Sequence, residues 1–237
     1  LNQLEAAEYG MSQNVEFDDN GSTVSKFSGT RPDHHISAIQ VTEPDGMNYV
    51  YGLPVYNNKQ VSTTMSVPEE SNFNTPKVAI SSTTYQNTFN QYLERTEMGE
   101  FVHSWLLTAV VGPDYKDLTG DGPSEDDMGY WAKFNYKKMD ASFGWRTPYT
   151  EANYQPGSPS DSRDDVAHFT YGTREQYYLA SIETKSHVAV FHTSPIADGH
   201  EAAGEFALTR GVNSSYKLDR VQLFTQKEYA KSQPIPI

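Results

Sequence analysis

Cysteine is absent from the 237 residues, which excludes disulfides, a thiolate nucleophile and zinc–thiolate sites. Basic residues are few: 18 Lys and Arg stand against 31 Asp and Glu, a formal net charge of −13. Binding to a phosphate backbone needs clustered Lys and Arg, so no nucleic acid is expected as a partner. No apolar run approaches the ~18 residues that a membrane span requires, so no span is expected either. The chain has no Gly-x-Ser-x-Gly elbow and no Gly-x-x-x-x-Gly-Lys phosphate loop. An initiator Met and a signal peptide are also missing, and the last residues are Pro234-Ile235-Pro236-Ile237. These are the marks of a fragment or a processed piece of something longer.

What is present favours strands. Tyr is abundant (16), Phe is frequent (11), and Thr and Ser run throughout, a bias toward β-structure. The expected fold is mainly β, with antiparallel sheets in a sandwich-like or open, shell-like arrangement, long loops and at most one or two short helices. Residues 1–67 read as an N-terminal β-rich part and 68–100 as a linker with a short helix. Residues 101–237 form a C-terminal β-rich part, and the whole is long enough to be one domain.

Along the chain, residues 1–13 read as a helical lead-in, and Val15-Glu16-Phe17 as a strand turning back at 18–22 onto 24–27. Ile36 to Val41 alternates as a half-buried strand does. Pro44-Asp45-Gly46 is a turn, and Asn48 to Tyr56 a strand that Gly52 and Pro54 bend or place on an edge. Val61 to Val67 is a further strand. Phe89, Tyr92 and Leu93 share a helical face in 89–97, and 101–111 reads as a buried strand ending at Gly112-Pro113. Residues 140–165, with Pro148, Pro156, Gly157 and Pro159, read as a long loop. Residues 177–192 are the clearest element: two β-rich runs around Thr184-Lys185-Ser186 predict a hairpin. Strands are also expected at 204–209 and 218–225. In the last of these, Leu218, Val221, Leu223 and Phe224 suggest burial on both sides.

The sharpest local chemistry is Asp117-Leu118-Thr119-Gly120-Asp121-Gly122-Pro123-Ser124-Glu125-Asp126-Asp127. Oxygen-bearing side chains fall at 117, 119, 121, 125 and 127, and Pro123 still offers a carbonyl. A hard cation wants six to eight oxygens, and alternate residues of a tight loop can supply them. Asp117, Thr119, Asp121, Pro123, Glu125 and Asp127 are therefore candidate calcium ligands. Gly122 sits where an EF-hand loop turns, but Met128 stands where that motif has its bidentate Glu. A solvated acidic turn is the competing reading, since turns are made of the same residues.

Other chemistry is thinner. Adjacent His34 and His35 face opposite ways in a strand, as do His187 and His192, and His103 in the apolar stretch reads as a core histidine. Glu43, Glu97, Glu100, Asp140 and Glu183 are possible acids for glycoside hydrolysis, yet nothing in their spacing selects a pair. Trp105, Trp131 and Trp145 read as core or cross-strand residues before they read as a sugar platform.

Residues 177–191 resemble the Tyr-Tyr-Leu-x-x-Ile…Val-x-Phe units of YD-repeat (Rhs) proteins and are similar to the B components of insecticidal toxin complexes. Leu218-Asp219-Arg220-Val221-Gln222-Leu223 looks like the start of another unit, and 117–122 like their Asp-x-Asn-Gly-Asp-Gly loops with Thr119 for Asn. Residues 48–57 and 145–149 resemble segments of large surface or secreted proteins of Bacteroidetes. The resemblance implies an exported β-shell or scaffold without catalytic residues of its own. YD units normally repeat many times, and at most two stand here.

The resulting expectation is a non-catalytic β-scaffold or interaction module of a large exported protein, extracellular or at the cell surface, stabilised by calcium at 117–127. Its partner would be the rest of a larger polypeptide or another protein. The alternatives are a carbohydrate-binding β-sandwich with a glycan partner, and then a glycoside hydrolase.

Overall fold

The β-branched and aromatic bias is realised in strands of unusual length. The computed structural model describes residues 16–17, 23–24, 36, 38–66, 77–78, 93–155, 157–158, 164–206, 210–231 and 233–237. Fourteen strands join one sheet, and the one helix among these residues is the four-residue α1, Gln226–Tyr229. The fold is mainly β and, apart from one short parallel pairing, antiparallel.

The sheet is built around β12 (Val166–Thr184). One side of β12 pairs with β10 (Trp131–Thr147) from Ala132↔Thr184 to Thr147↔Thr170. Its other side is shared. The first half takes β5 (Leu53–Ser66), from Val166↔Ser66 to Arg174↔Asn57, and the end takes β13 (His187–Ala202) through Ser181, Ile182 and Glu183. β13 then pairs with β14 (Arg210–Thr225), which ends the sheet. Beyond β10 lie β9 (Ala109–Val111), β4 (Asn48–Tyr51) and β3 (Ile39–Thr42).

β4 and β5 are one run interrupted at Gly52. β7 (Leu93–Met98) and β8 (Phe101–Leu106) likewise run along β5 almost in register, from Met65↔Leu93 to Leu53↔Leu106. The pairings run from β12 through β10 and β9 to β4, and the chain itself then continues past Gly52 into β5, which pairs with β12. Strands from 1–67 and from 101–237 are thereby interleaved in one sheet. β12 reaches β5 only from Asn57 onward, so Pro54 lies where β5 has β8 on one side and no β12 on the other. There its missing N–H removes no bond to β12.

The expected hairpin is present, with Lys185 and Ser186 between β12 and β13. The early strand pair is present as β1 (Glu16–Phe17) and β2 (Thr23–Val24), β1 also running parallel to β10. The turn at Gly46 forms with φ 88°. The lead-in at 1–13 and most of 68–92 lie outside the described residues.

Several expectations are corrected. Residues 93–97 are strand, not helix: all six residues of β7 are exposed, and what holds them is the ladder to β5. Residues 140–147 are not loop but the second half of β10, where Phe143 and Arg146 are buried, and β11 (Ala152–Gln155) follows on the edge of β12. Residues 101–111 break at 107–108; Thr108 and Ala109 are buried, the rest is half-buried, and His103 is exposed rather than in the core. β3 is exposed throughout its four residues, not half-buried. Gly204 to Phe206 is bend and turn, not strand. Leu218, Val221 and Leu223 are exposed, and Phe224 alone of that group is buried.

The core between the β5–β12 face and the 203–206 turn contains Met65, Ala152, Ala167 and Phe169, with Tyr154, Tyr171 and Phe206 packed against it. Phe169 meets Phe206 edge-on at 6.1 Å between ring centroids, and the Arg146 guanidinium lies 4.6 Å from the Phe169 centroid. Arg146 keeps its charge in this setting by donating to the carbonyls of Glu205 (3.0 Å) and Pro148 (2.5 Å). Trp131 is fully buried, and Trp145 donates from Nε1 to Asn57 Oδ1 at 3.1 Å. None of the three tryptophans is exposed, as expected of core and cross-strand residues.

Candidate functional site: the acidic loop

The acidic stretch is the tip of an excursion between β9 and β10. Trp131 pairs with Val111, the Gly112 amide donates to the Tyr130 carbonyl at 2.9 Å, and Lys116 and Met128 exchange backbone bonds of 3.0 and 3.1 Å. The neck is thus three rungs deep before the loop opens. Gly129 allows it: φ is 82°, and a Cβ there would lie 2.3 Å from the Asp114 carbonyl oxygen. Gly122, with φ 80°, makes the sharp turn expected of it.

Inside the loop the carboxylates organise the chain. Asp117 accepts from the amides of Thr119 (3.2 Å), Gly120 (2.6 Å) and Gly122 (3.0 Å). Asp127, 1% exposed, accepts from the Tyr115 hydroxyl (2.9 Å) and from the amides of Leu118 (2.9 Å) and Ser124 (3.0 Å). A buried carboxylate needs such donors. Thr119 and Ser124 both donate to Asp121, at 2.6 and 3.4 Å, and Ser124 also donates to Asp126 at 2.6 Å. Glu125 is exposed and Pro123 half-buried.

Of the six candidate ligands, the structure turns Asp117 and Asp127 inward onto backbone amides and pairs Thr119 with Asp121. Among the described residues, no group of three or more His, Asp or Glu side chains is arranged to hold a metal. The Ser124 hydroxyl holds the Asp126 carboxyl below the usual range, while burial and the Asp127 carboxylate push the Tyr115 phenol up.

Residues that the sequence did not single out complete the loop. Tyr115 caps Asp127, Asp114 accepts from the Tyr130 amide at 3.2 Å, and Lys185 donates to the Asp127 main-chain carbonyl at 2.7 Å. Tyr115 and Asp114 precede the acidic run by two or three positions, where aromatic and acidic neighbours were a usable signal. Lys185 carried none, because the fold alone brings the β12–β13 turn there.

The candidate hydrolytic acids have other local partners. Glu97 pairs with Lys59 (3.0 Å) and Arg95 (2.9 Å), Asp140 accepts from the Ser142 amide (2.7 Å), and Glu183 accepts from the Asn135 side chain (2.5 Å). Glu43 and Glu100 are exposed. Comparison of the chain with protein-family models, with curated proteins and with solved structures found no match in any of the three.

Proposed function

We propose that this chain is a non-catalytic β-scaffold or interaction module of a large exported protein, acting outside the cell or on its surface. The observation that carries the reading is the use made of its polar side chains. Of the candidate acids, Glu97 pairs with Lys59 and Arg95, Asp140 accepts from the Ser142 amide and Glu183 from Asn135, and Asp117 and Asp127 accept from loop amides, so that these side chains hold the sheet and its loop in place. A strand of 19 residues that joins two ladders is the framework of a load-bearing or spacing element. The partner is the remainder of a larger polypeptide or another protein. A panel of glycosides, esters and peptides is the test. No turnover is expected; turnover abolished by Glu97→Gln, Asp140→Asn or Glu183→Gln alone would overturn the reading.

Calcium at 117–127 is the second part of the proposal. Its support is the alternation of oxygen ligands and the sharp turn at Gly122. Because Asp117 and Asp127 already engage six donors between them, the loop keeps its neck without the ion. Calcium then adds stability through the oxygens of the six candidate ligands, Asp117, Thr119, Asp121, Pro123, Glu125 and Asp127.

A further inference from the structure

Seven strands lie side by side from β14 to β3. Where they pair without a register shift, opposed residues share a face and neighbours in sequence take opposite faces. Leu223, Ala189, Ile182 and Phe134 stand in one row from β14 to β10. Ala132, two residues before Phe134, stands in a second row with Val110, Tyr49 and Val41, from β10 to β3. One residue away from members of these rows, and so on the other face, are Val50, Ala109, Trp131, Val188 and Phe224, all buried.

The face of the two rows thus points away from that core, and neither row contains a Lys, Arg, Asp or Glu. Val41 and Leu223, at its two ends, are 46% and 44% exposed, and Val221, opposite Phe191 on the same face, is 48% exposed. An antiparallel sheet with one face on its core ordinarily turns polar side chains outward. A contiguous apolar surface in their place marks a site of interaction. At about 4.8 Å between strands it is about 29 Å wide. The Ile237 amide already occupies the outer edge of β14 at Leu223, so the face rather than the edge is the open surface.

Its border is acidic. Glu43 and Asp45 form the exposed β3–β4 turn at one end of the second row. The Glu43 carboxylate, then partial burial and Asp45, push the Tyr49 phenol up. The acidic loop stands at the same end of the sheet, because a Cβ on Gly46 would lie 2.9 Å from the Pro113 Cβ. Asp121, Glu125 and Asp126 are exposed on that loop, while Lys185 beside it is bonded to the Asp127 carbonyl. A second copy, with a net charge of −13, would meet this border with like charge. An anionic lipid surface would be repelled in the same way.

We propose that the apolar outer face of β3, β4, β9, β10, β12, β13 and β14 docks a segment of a partner protein whose apolar side chains are flanked by Lys and Arg. The inference rests on the reading of the chain as an interaction module, and it names the surface and the chemistry of the partner. Apolar contact supplies the affinity, and the acidic border selects a basic partner and speeds the encounter.

The probe is a short Leu/Lys peptide patterned as an amphipathic helix and followed by fluorescence anisotropy. Its controls are a Leu/Glu peptide of the same pattern and a Ser/Lys peptide of the same charge. The Leu/Lys peptide should bind in the micromolar range and neither control should. Val41→Thr with Val221→Thr keeps both β-branched shapes and should weaken binding about tenfold, because each site then buries a hydroxyl without a partner. Glu43→Gln with Asp45→Asn should also weaken it and flatten its dependence on salt. Thermal melts that match wild type will show that these surface variants fold. Absent binding of the Leu/Lys peptide, equal binding of the Ser/Lys peptide, or an unweakened Thr double variant would overturn the proposal. Self-association in sedimentation equilibrium, or binding to phosphatidylcholine vesicles, would overturn it too if the Thr double variant abolished it, since the face would then belong to a second copy or to a bilayer. None of these outcomes touches the scaffold reading, which falls on turnover alone.

Discussion

Lys185 joins two parts of the fold: its ammonium donates to the main-chain carbonyl of Asp127 at 2.7 Å across 58 residues of sequence. The turn of the best-defined hairpin is thereby bonded to the base of the acidic loop. Lys185→Met keeps the apolar stem and removes the donor. It should lower stability by about 1.5 kcal/mol, the low end for a hydrogen bond involving a charged group, because Lys185 is exposed. Urea denaturation measures this, and a variant as stable as wild type would show that the tie contributes nothing.

Asp127→Ala is expected to cost more. It leaves the Tyr115 hydroxyl and two backbone amides without their acceptor, for a loss of about 3–4 kcal/mol. Tyr115→Phe, which removes one of the three donors, should lose about 1 kcal/mol. A reversed order of the two variants in the same denaturation experiment would mean that Asp127 is not the organising acceptor.

Thermal melts in calcium, magnesium and chelator test the ion. Binding to the folded state alone should add about 2.7 kcal/mol at a hundredfold excess over the dissociation constant. Magnesium should do less, because its small octahedral shell suits this mixed set of oxygens poorly. Asp121→Ala should remove most of the calcium increment and leave the chelator curve nearly unchanged. Coincident wild-type curves in calcium and chelator would leave an ordinary acidic turn.

The Lys59 and Arg95 partners hold the Glu97 carboxyl below its ordinary range. A group with a depressed folded-state value stabilises above the unfolded value and loses that contribution as pH falls through the folded one. Stability should therefore drop on acidification through the carboxylate range, and less steeply in Glu97→Gln. The difference between the two proteins should shrink in high salt, since both partners are at the surface. Parallel pH profiles at low salt would argue against the network.

Tyr136 behaves in the opposite sense. Its hydroxyl donates to the Leu107 carbonyl at 2.8 Å, and burial pushes its ionisation up to about 12. Its contribution is present below the unfolded value near 10 and is lost as pH rises from there toward 12. Phenolate absorbance should show one late-titrating tyrosine fewer in Tyr136→Phe. If the late-titrating population is unchanged, the buried phenol is not this one.

The hairpin was legible because its determinants are local: two β-rich runs and a short polar turn. Leu93–Met98 was not. Its six residues are exposed and carry no burial period, and the partner that makes them a strand is the distant run Gln60–Met65. Nor does the spacing of Leu218, Val221 and Leu223 say whether a second layer covers them; that depends on what else the chain stacks there. In the acidic loop, residue types gave the oxygens but not their directions. The nearest amides of the loop itself took Asp117 and Asp127.

The two-sided role of β12 bears on how the molecule is assembled in time. Its first half closes on β5 through pairs such as Ser62 and Thr170, 108 positions apart, while its end needs only the adjacent turn to meet β13. The β12–β13 ribbon can therefore zip early, whereas the β5 seam must wait for a long chain segment to return. Such high contact order places refolding in the millisecond-to-second range rather than microseconds. Until that seam closes, the edge of β12 that β5 will occupy stands open to any other strand.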